Sequence, residues 1–326
     1  MGDDAVALDG VTVRRHGRAG EELVLLADVT WRVGAGEHWV VLGPNGAGKS
    51  TMLQLAGGVT HPSEGTVHVL GHRIGGVDMR ALRERIGHVD AATARGLKRG
   101  LDGRDVVLSG AFGSLAPQRR RLGPEHEERA DGLLALTGSE VLGPRRFDDC
   151  SQGERQRLLL ARALMAGGPG SGAGMRRRSA DRDATPSGRT VGDATAAAGG
   201  ASDPGEATGG AATPDDPAAA TPDDDGPDLL LLDEPASGLD LPSRERLVAA
   251  LVASARRWPD LPTITVTHHL EEIPPTTTHA LLLRDGHVLA AGPVADVLAS
   301  DPVSACFGLP VVVTRAGGRW AARLAD

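Results

Sequence analysis

The sequence predicts an α/β protein whose core is a mostly parallel sheet covered on both faces. Three observations carry that expectation. Short, wholly apolar runs such as LLLL at 229–232 alternate with segments of helical periodicity, the pattern of strands buried on both sides by crossover helices. A glycine-rich turn at 43–48 joins one such run to a helix. The 326 residues are 40% hydrophobic, enough for a sizeable core, and show no internal repeat.

The elements follow in chain order. Residues 37–43, EHWVVLG, read as a strand closing on glycine, and 49–56 as a short helix. Residues 66–70 alternate like a strand up to Gly71, and 86–89 form another short apolar run. Residues 124–137 have helical period, with Leu133, Leu134 and Leu136 after a charged first half. Residues 152–165 read as a helix with Arg155 and Arg162 on one face and leucines on the other. The run 229–232 lies between Pro227 and Pro235. Leu247, Val248, Leu251 and Val252 make the apolar stripe of a helix after Pro242. Residues 263–267 are β-branched and strand-like. Residues 280–291 form a hairpin about the Asp285–Gly286 turn.

One segment stands apart. Residues 166–228 contain no Leu, Ile, Phe or Trp and are dominated by small and polar types. With eleven acids against five bases, they hold most of the chain's net charge of −8. Without apolar side chains such a segment cannot offset the entropy of ordering, so it is expected to be a disordered insert. The rest of the chain is nearly charge-balanced, aromatics are 2% and Tyr is absent, which argues against a polyanion-binding or base-stacking protein. No run reaches the roughly 18 apolar residues of a membrane span. Asp3 and Asp4 replace the basic start of a secretory signal. Cys150 and Cys306 lie far apart without metal-ligand spacing, as in a reduced cytoplasmic protein.

Three motifs carry chemistry. Gly43, Pro44, Asn45, Gly46, Ala47, Gly48, Lys49, Ser50 and Thr51 fit the phosphate-loop pattern G-x-x-x-x-G-K-[ST] between a strand and a helix. Its glycines let backbone N–H groups turn inward around phosphate oxygens at a positive helix end. Lys49 is expected to reach the β- and γ-phosphates of a nucleotide, and Ser50 to offer its hydroxyl to Mg²⁺. In LLLLDEP an apolar strand ends on Asp233, suited to Mg²⁺, and Glu234, suited to activate or orient a water. The third, Cys150, Ser151, Gln152, Gly153 and Glu154, starts a helix, where a serine hydroxyl and the helix dipole favour an anion.

Together these motifs resemble the nucleotide-binding domain of ABC (ATP-binding cassette) proteins, whose signature is commonly L-S-G-G-Q. Ser151 and Gly153 match it, while Cys150, Gln152 and Glu154 depart from it. Ser237, Gly238, Leu239 and Asp240 resemble the family's D-loop, and His268, at the end of strand 263–267, its γ-phosphate histidine, with His269 the adjacent alternative. Residues 284–286 resemble the final hairpin. With the insert set aside, the spacing from Lys49 to Asp233 is also similar to the family's. The resemblance implies a P-loop NTPase fold of ABC type, with an antiparallel β subdomain and a helical subdomain at about 91–165. The domain spans 5–307, interrupted by 166–228 and followed by a short extension, 308–326. It further implies ATP and Mg²⁺ as cofactors, Glu234 and His268 as catalytic residues, and Ser50 and Asp233 as metal ligands. Residues 43–51, Ser151 to Glu154 and Asp240 would then bind nucleotide.

Two departures stand out. In the family's I-G-x-V-x-Q strand, Ala91 takes the Gln position, with Asp90 a candidate substitute. The adenine-stacking aromatic is absent, leaving Arg15 or His16. The resemblance implies an ATP-hydrolysing subunit that forms a head-to-tail homodimer, or pairs with another ABC subunit, around two ATP. It would drive separate transmembrane permease subunits through residues 105–117, peripheral on the cytoplasmic face of the membrane. GEHWVVLGPNGAGKS and THHLEEIP resemble the molybdate-type and iron-complex-type branches, which lean to import. The alternative is a soluble ABC ATPase acting on nucleic acid or ribosomes, or a weakly hydrolysing regulator.

Overall fold

The strand that leads into the glycine-rich turn lies inside a six-stranded sheet, and one of its faces packs toward a second, antiparallel sheet. The computed structural model describes residues 4–16, 21–76, 78–168 and 226–325. β1 (Val6–His16) and β2 (Glu22–Val33) pair antiparallel; then come β3 (His38–Leu42), α1 (Lys49–Ala56), β4 (Glu64–Val69) and β5 (His72–Arg73). The first sheet has the order β2-β1-β4-β5 and is antiparallel. Irregularities at Leu8/Val11, Val11/Val13 and Val13/Arg14 break the two-residue alternation along much of the pair, while the end of β2, residues 29–33 (VTWRV), alternates buried and exposed.

Next follow α2 (Met79–Arg83), β6 (Ile86–Val89), α3 (Ala91–Gly96), α4 (Gly103–Ser109), α5 (Pro124–Leu136) and α6 (Gln152–Leu164). After the undescribed stretch come β7 (Leu229–Asp233), α7 (Leu241–Arg257), β8 (Thr263–Thr267), β9 (His279–Arg284) and β10 (His287–Pro293). The chain ends with α8 (Val294–Val297), α9 (Ser300–Phe307), β11 (Val311–Ala316) and β12 (Arg319–Leu324). The second sheet has the order β10-β9-β3-β8-β7-β6, parallel except for the β9–β10 hairpin.

The apolar runs are continuous because each strand is buried twice. Trp39 and Val41 of β3 pack with α1 and the antiparallel sheet, while Val40 and Leu42 pack under α8 and α9. In β7, Leu229 and Leu231 join the first cluster, and Leu230 and Leu232 the core of the helical region. That core holds Val106, Val107, Leu133, Leu134, Leu158 and Leu160.

Helix α6 corrects one expectation. Arg155 and Arg162, seven residues apart, do share a face, but that face is not a polar one set against a leucine face: Arg162 is 6% exposed, and its guanidinium donates to Ser109 Oγ at 3.1 Å and to the Ser114 carbonyl at 2.8 Å. The helix packs against α4, α5, α7 and β6, so it is buried nearly all round and leaves no polar stripe to read.

The ends of the expected insert also belong to the folded body. Ala166 is buried, the Gly167 N–H donates to the Glu84 carbonyl at 2.9 Å, and the Asp228 N–H to the Arg85 carbonyl at 2.9 Å. Asp228 also pairs with Arg85 at 2.6 Å. The expectation of disorder for the remainder, 169–225, lies outside the described residues. Residues 311–324 fold as a hairpin.

Candidate functional site

Parallel register sets the site. Leu42 of β3 stands opposite Thr267 of β8, and Asp233 of β7 opposite Val266. The residues that follow these strands therefore emerge together at the carboxyl edge of the sheet, where open α/β sheets hold ligands.

The glycine-rich turn is shaped by close backbone approach. A side chain on Gly43 would meet the Leu283 carbonyl at 2.0 Å, and Gly48 is left-handed (φ 103) against the Leu25 carbonyl at 2.5 Å. The Gly286 N–H donates to the Ala47 carbonyl at 3.1 Å, strapping the turn to the β9–β10 hairpin. Lys49 is 6% exposed, and its Nζ donates to the carbonyls of Gly43 (2.8 Å) and Pro44 (3.0 Å). Burial pushes its pKa down, opposed by the charges of Glu234 and Asp233. Asn45, Gly46 and Ser50 face solvent.

The Ser50 hydroxyl donates to Asp233 Oδ1 at 3.3 Å. Desolvation pushes the Asp233 pKa up; the Ser50 hydrogen bond opposes this and the Glu234 charge adds to it. Glu234 turns out of β7 in a left-handed conformation (φ 48), uncommon for a non-glycine residue. Its N–H still donates to the Val266 carbonyl at 2.9 Å, and its Oε1 lies 3.2 Å from His268 Nδ1. His269 stacks at an angle on His268, ring centroids 4.0 Å apart. Lys49, Ser50, Asp233, Glu234 and His268 are thus brought into one group.

The remaining predicted residues form a second group. Ser151 caps α6 in a reciprocal box: its hydroxyl accepts from the Glu154 N–H at 3.4 Å, and the Ser151 N–H donates to Glu154 Oε2 at 2.7 Å. These bonds hold the Glu154 carboxyl below its usual range, and Arg145 at 3.2 Å adds to the effect. Glu154 therefore completes the helix start from within. Gln152 Nε2 donates to the Ser237 carbonyl at 2.8 Å, and a Cβ on Gly153 would meet Ser243 Cβ at 2.5 Å, so α6 and α7 begin side by side. Asp240 caps α7, accepting from the Ser243 N–H at 3.0 Å. Among the described residues, no hydrogen bond of Ser151, Gln152, Glu154 or Asp240 reaches Lys49, Ser50, Asp233, Glu234 or His268 directly; the link is through Ser237, whose N–H donates to the Glu234 carbonyl at 3.1 Å.

Two departures gain a physical account. Asp90 caps α3: it accepts from the Thr93 N–H and pairs with His88 Nδ1 at 2.8 Å. Burial alone would raise its pKa, but the His88 and Thr93 bonds outweigh this and hold it well below the usual carboxylate range. Both its oxygens have partners, so the candidate substitute for the Gln is a helix cap. His88 had no sequence signal beyond an interior strand position. On β1, Arg14 pairs with Glu22 at 3.3 Å and with Glu64. The nearby register shift falls on β2, so alternation along β1 places Arg15 on the face of Val13, which packs with Leu26 and Ala47.

A groove of about 150 Å³ lies along the outermost strand β6, lined by Val59, Arg83, His88, Thr93, Leu115 and Arg162. Val59 and Leu115 are exposed, and burial lowers the Arg162 pKa to about 10. Among the described residues, no helix is long and apolar enough to cross a membrane.

The ABC transporter family profile matches residues 26–169. Over 307 residues, 94% of this chain and 92% of the relative, the sequence is 31% identical to the uncharacterized ABC transporter ATP-binding protein YlmA of Bacillus subtilis. It is 28% identical over 320 residues to the hemin import ATP-binding protein HmuV of Burkholderia mallei, covering 95% of each chain. The fold is similar to the dimeric structure of MJ0796, a bacterial ABC transporter cassette (TM-score 0.60, 20% identity, 89% of this chain and 98% of that one). It is also similar to cbiO1 of Clostridium perfringens, part of the ABC transporter complex cbiONQ (TM-score 0.61, 21% identity, 92% and 93%). At these identities the two solved structures speak for the fold alone.

Proposed function

The chain belongs to the family of ABC transporter ATP-binding proteins, and on that premise we propose that it hydrolyses ATP in a head-to-tail dimer that drives a separate membrane permease. The division of the site into two groups carries this reading. One chain holds a phosphate cradle at the sheet edge and, elsewhere, an exposed serine-capped helix start. Two chains facing each other would join one group to the partner's other.

In that reading, residues 43–51 receive the phosphates through backbone N–H groups and the start of α1. Lys49 exchanges its carbonyl partners for phosphate oxygens. Ser50 and Asp233 fit Mg²⁺: they are two hard oxygen donors already within 3.3 Å, one a desolvated carboxylate that a cation would relieve. When bound, Mg²⁺ neutralises charge on the β- and γ-phosphate oxygens. Glu234 accepts a proton from the attacking water as that oxygen adds to the γ-phosphorus and the β–γ bridging oxygen leaves. His268, whose Nδ1 lies 3.2 Å from Glu234 Oε1, orients that carboxylate and contacts a γ-phosphate oxygen through Nε2. Ser151, with Gln152, Gly153 and Asp240 behind it, presents the α6 start to the partner's γ-phosphate. Glu154 supports it by the capping box. Arg15 offers its guanidinium plane to the adenine.

The groove beside residues 105–117 is the surface offered to the permease, with exposed Val59 and Leu115 as its apolar contacts. Import is the direction supported by the hemin import relative. Assembly on a permease would place the chain at the cytoplasmic face of a membrane. Sizing chromatography tests the dimer: Glu234→Gln should bind ATP, fail to hydrolyse it and elute as a dimer only with ATP. A variant that stays monomeric at saturating ATP would falsify the sandwich.

A further inference from the structure

The C-terminal hairpin lies outside the nucleotide machinery, yet it grips two of its segments. Gly317 and Gly318 are both left-handed and turn β11 into β12, which brings Arg319 and Trp320 back onto the domain. Trp320 is 7% exposed, in the cluster that contains Leu270, Ile273 and β3's Val40 and Leu42. Beside it, Arg319 spans two elements. Its Nη1 lies 2.6 Å from Glu245 Oε2 and its Nη2 3.2 Å from Glu245 Oε1, while Nη2 also donates to the Glu271 carbonyl at 2.5 Å. The Ala322 N–H donates to Glu271 Oε1 at 3.4 Å.

Both contacts lead to the site. Glu271 follows His268 by three residues, within a turn that ties itself together. There the Thr267 hydroxyl donates to the Glu272 carboxylate and accepts from the His269 N–H at 3.1 Å. Glu245 sits near the start of α7, the helix capped by Asp240. An ion pair this exposed adds little to stability. A planar fork with three acceptor contacts does, however, fix direction and spacing.

We propose that Arg319 is a positioning residue for hydrolysis, a strut holding the His268 segment in place against the start of α7. It rests on the reading of the site given above. Steady-state ATPase assays on the full chain test it. Arg319→Ala should lower kcat about tenfold, the scale of a small misplacement, with KM for ATP and affinity for a non-hydrolysable analogue unchanged. Arg319→Lys, which keeps the charge but loses the fork, should fall between. Glu245→Gln leaves Trp320 and the hairpin seated, so it decides the matter even if Arg319→Ala folds poorly. Its kcat should fall without a change in KM, and the double variant should lose less than the two effects combined. Wild-type kcat in both Arg319→Ala and Glu245→Gln overturns the strut, as does a parallel loss of kcat and ATP affinity in Glu245→Gln. Glu234→Gln separates the two ideas. If wild type hydrolyses ATP and Glu234→Gln does not, the site's reading stands whatever Arg319 does; if wild type hydrolyses none, that reading fails first.

Discussion

At the residue scale, placement decides what a carboxylate is for. Asp90 and Asp233 end neighbouring parallel strands, and their pKa values move in opposite directions. Asp233 is desolvated and shares its surroundings with Glu234, so its charge is held at a cost that a cation lowers. Asp90 has a backbone N–H and His88 to receive, so its charge is held favourably. A carboxylate whose folded pKa is depressed stabilises the fold fully above its unfolded value, about 3.9. That contribution is lost as pH falls through the folded value. Asp90→Ala should therefore cost about 1 kcal/mol at neutral pH by loss of the cap. The gap to wild type should shrink below about pH 4. Urea unfolding midpoints at pH 7 and pH 3 check this; a gap that widens in acid contradicts it.

At the element scale, the second group of site residues depends on how closely two helices start. Gly153 has no room for a Cβ because Ser243 occupies that space. Gly153→Ala should push the starts of α6 and α7 apart, at a cost of about 1–3 kcal/mol, and lower ATP hydrolysis with it. Ser243→Gly in the same chain removes the opposing Cβ and should restore both. Denaturant midpoints and ATPase rates of the single and double variants read the outcome.

Legibility in sequence follows the same scale. The strand at 229–232 was readable because burial on both faces leaves it continuously apolar, and 263–267 because all five residues are β-branched. The glycine-rich turn and the DE pair were readable because their chemistry sits in adjacent residues. β1 and the first part of β2 were not, since their bulges scramble alternation, nor was Arg162, whose partners Ser109 and Ser114 lie on other elements. The pairing of Glu234 with His268 joins residues 34 positions apart and needs the β7–β8 register to be seen. The C-terminal hairpin did leave a signal, Gly317–Gly318 between two apolar-containing runs, the pattern of a two-residue turn.

At the scale of the whole molecule, the residues on either side of 169–225 lie together. A Cβ on Gly167 would lie 2.5 Å from the Gly226 carbonyl. Flanking residues on both sides are bonded to neighbouring carbonyls, those of Glu84 and Arg85. The body therefore does not need residues 169–225 to span any distance. Replacing them with a short glycine–serine link should preserve ATPase activity and leave the thermal midpoint equal or slightly higher. Closure entropy grows by only about 0.6 kcal/mol per doubling of loop length. A collapse of the midpoint in the shortened protein would mean that the segment supports the fold.

The strand order carries that observation further. In β10-β9-β3-β8-β7-β6, β3 and β6 precede residues 169–225 while every other strand of that sheet follows them. Severed there, neither piece owns the whole of this six-stranded sheet: β8 has its partners in both, and β6 has its strand neighbour across the cut. The two polypeptides would be obligate complements, and mixing them should reconstitute an enzyme that neither encodes alone.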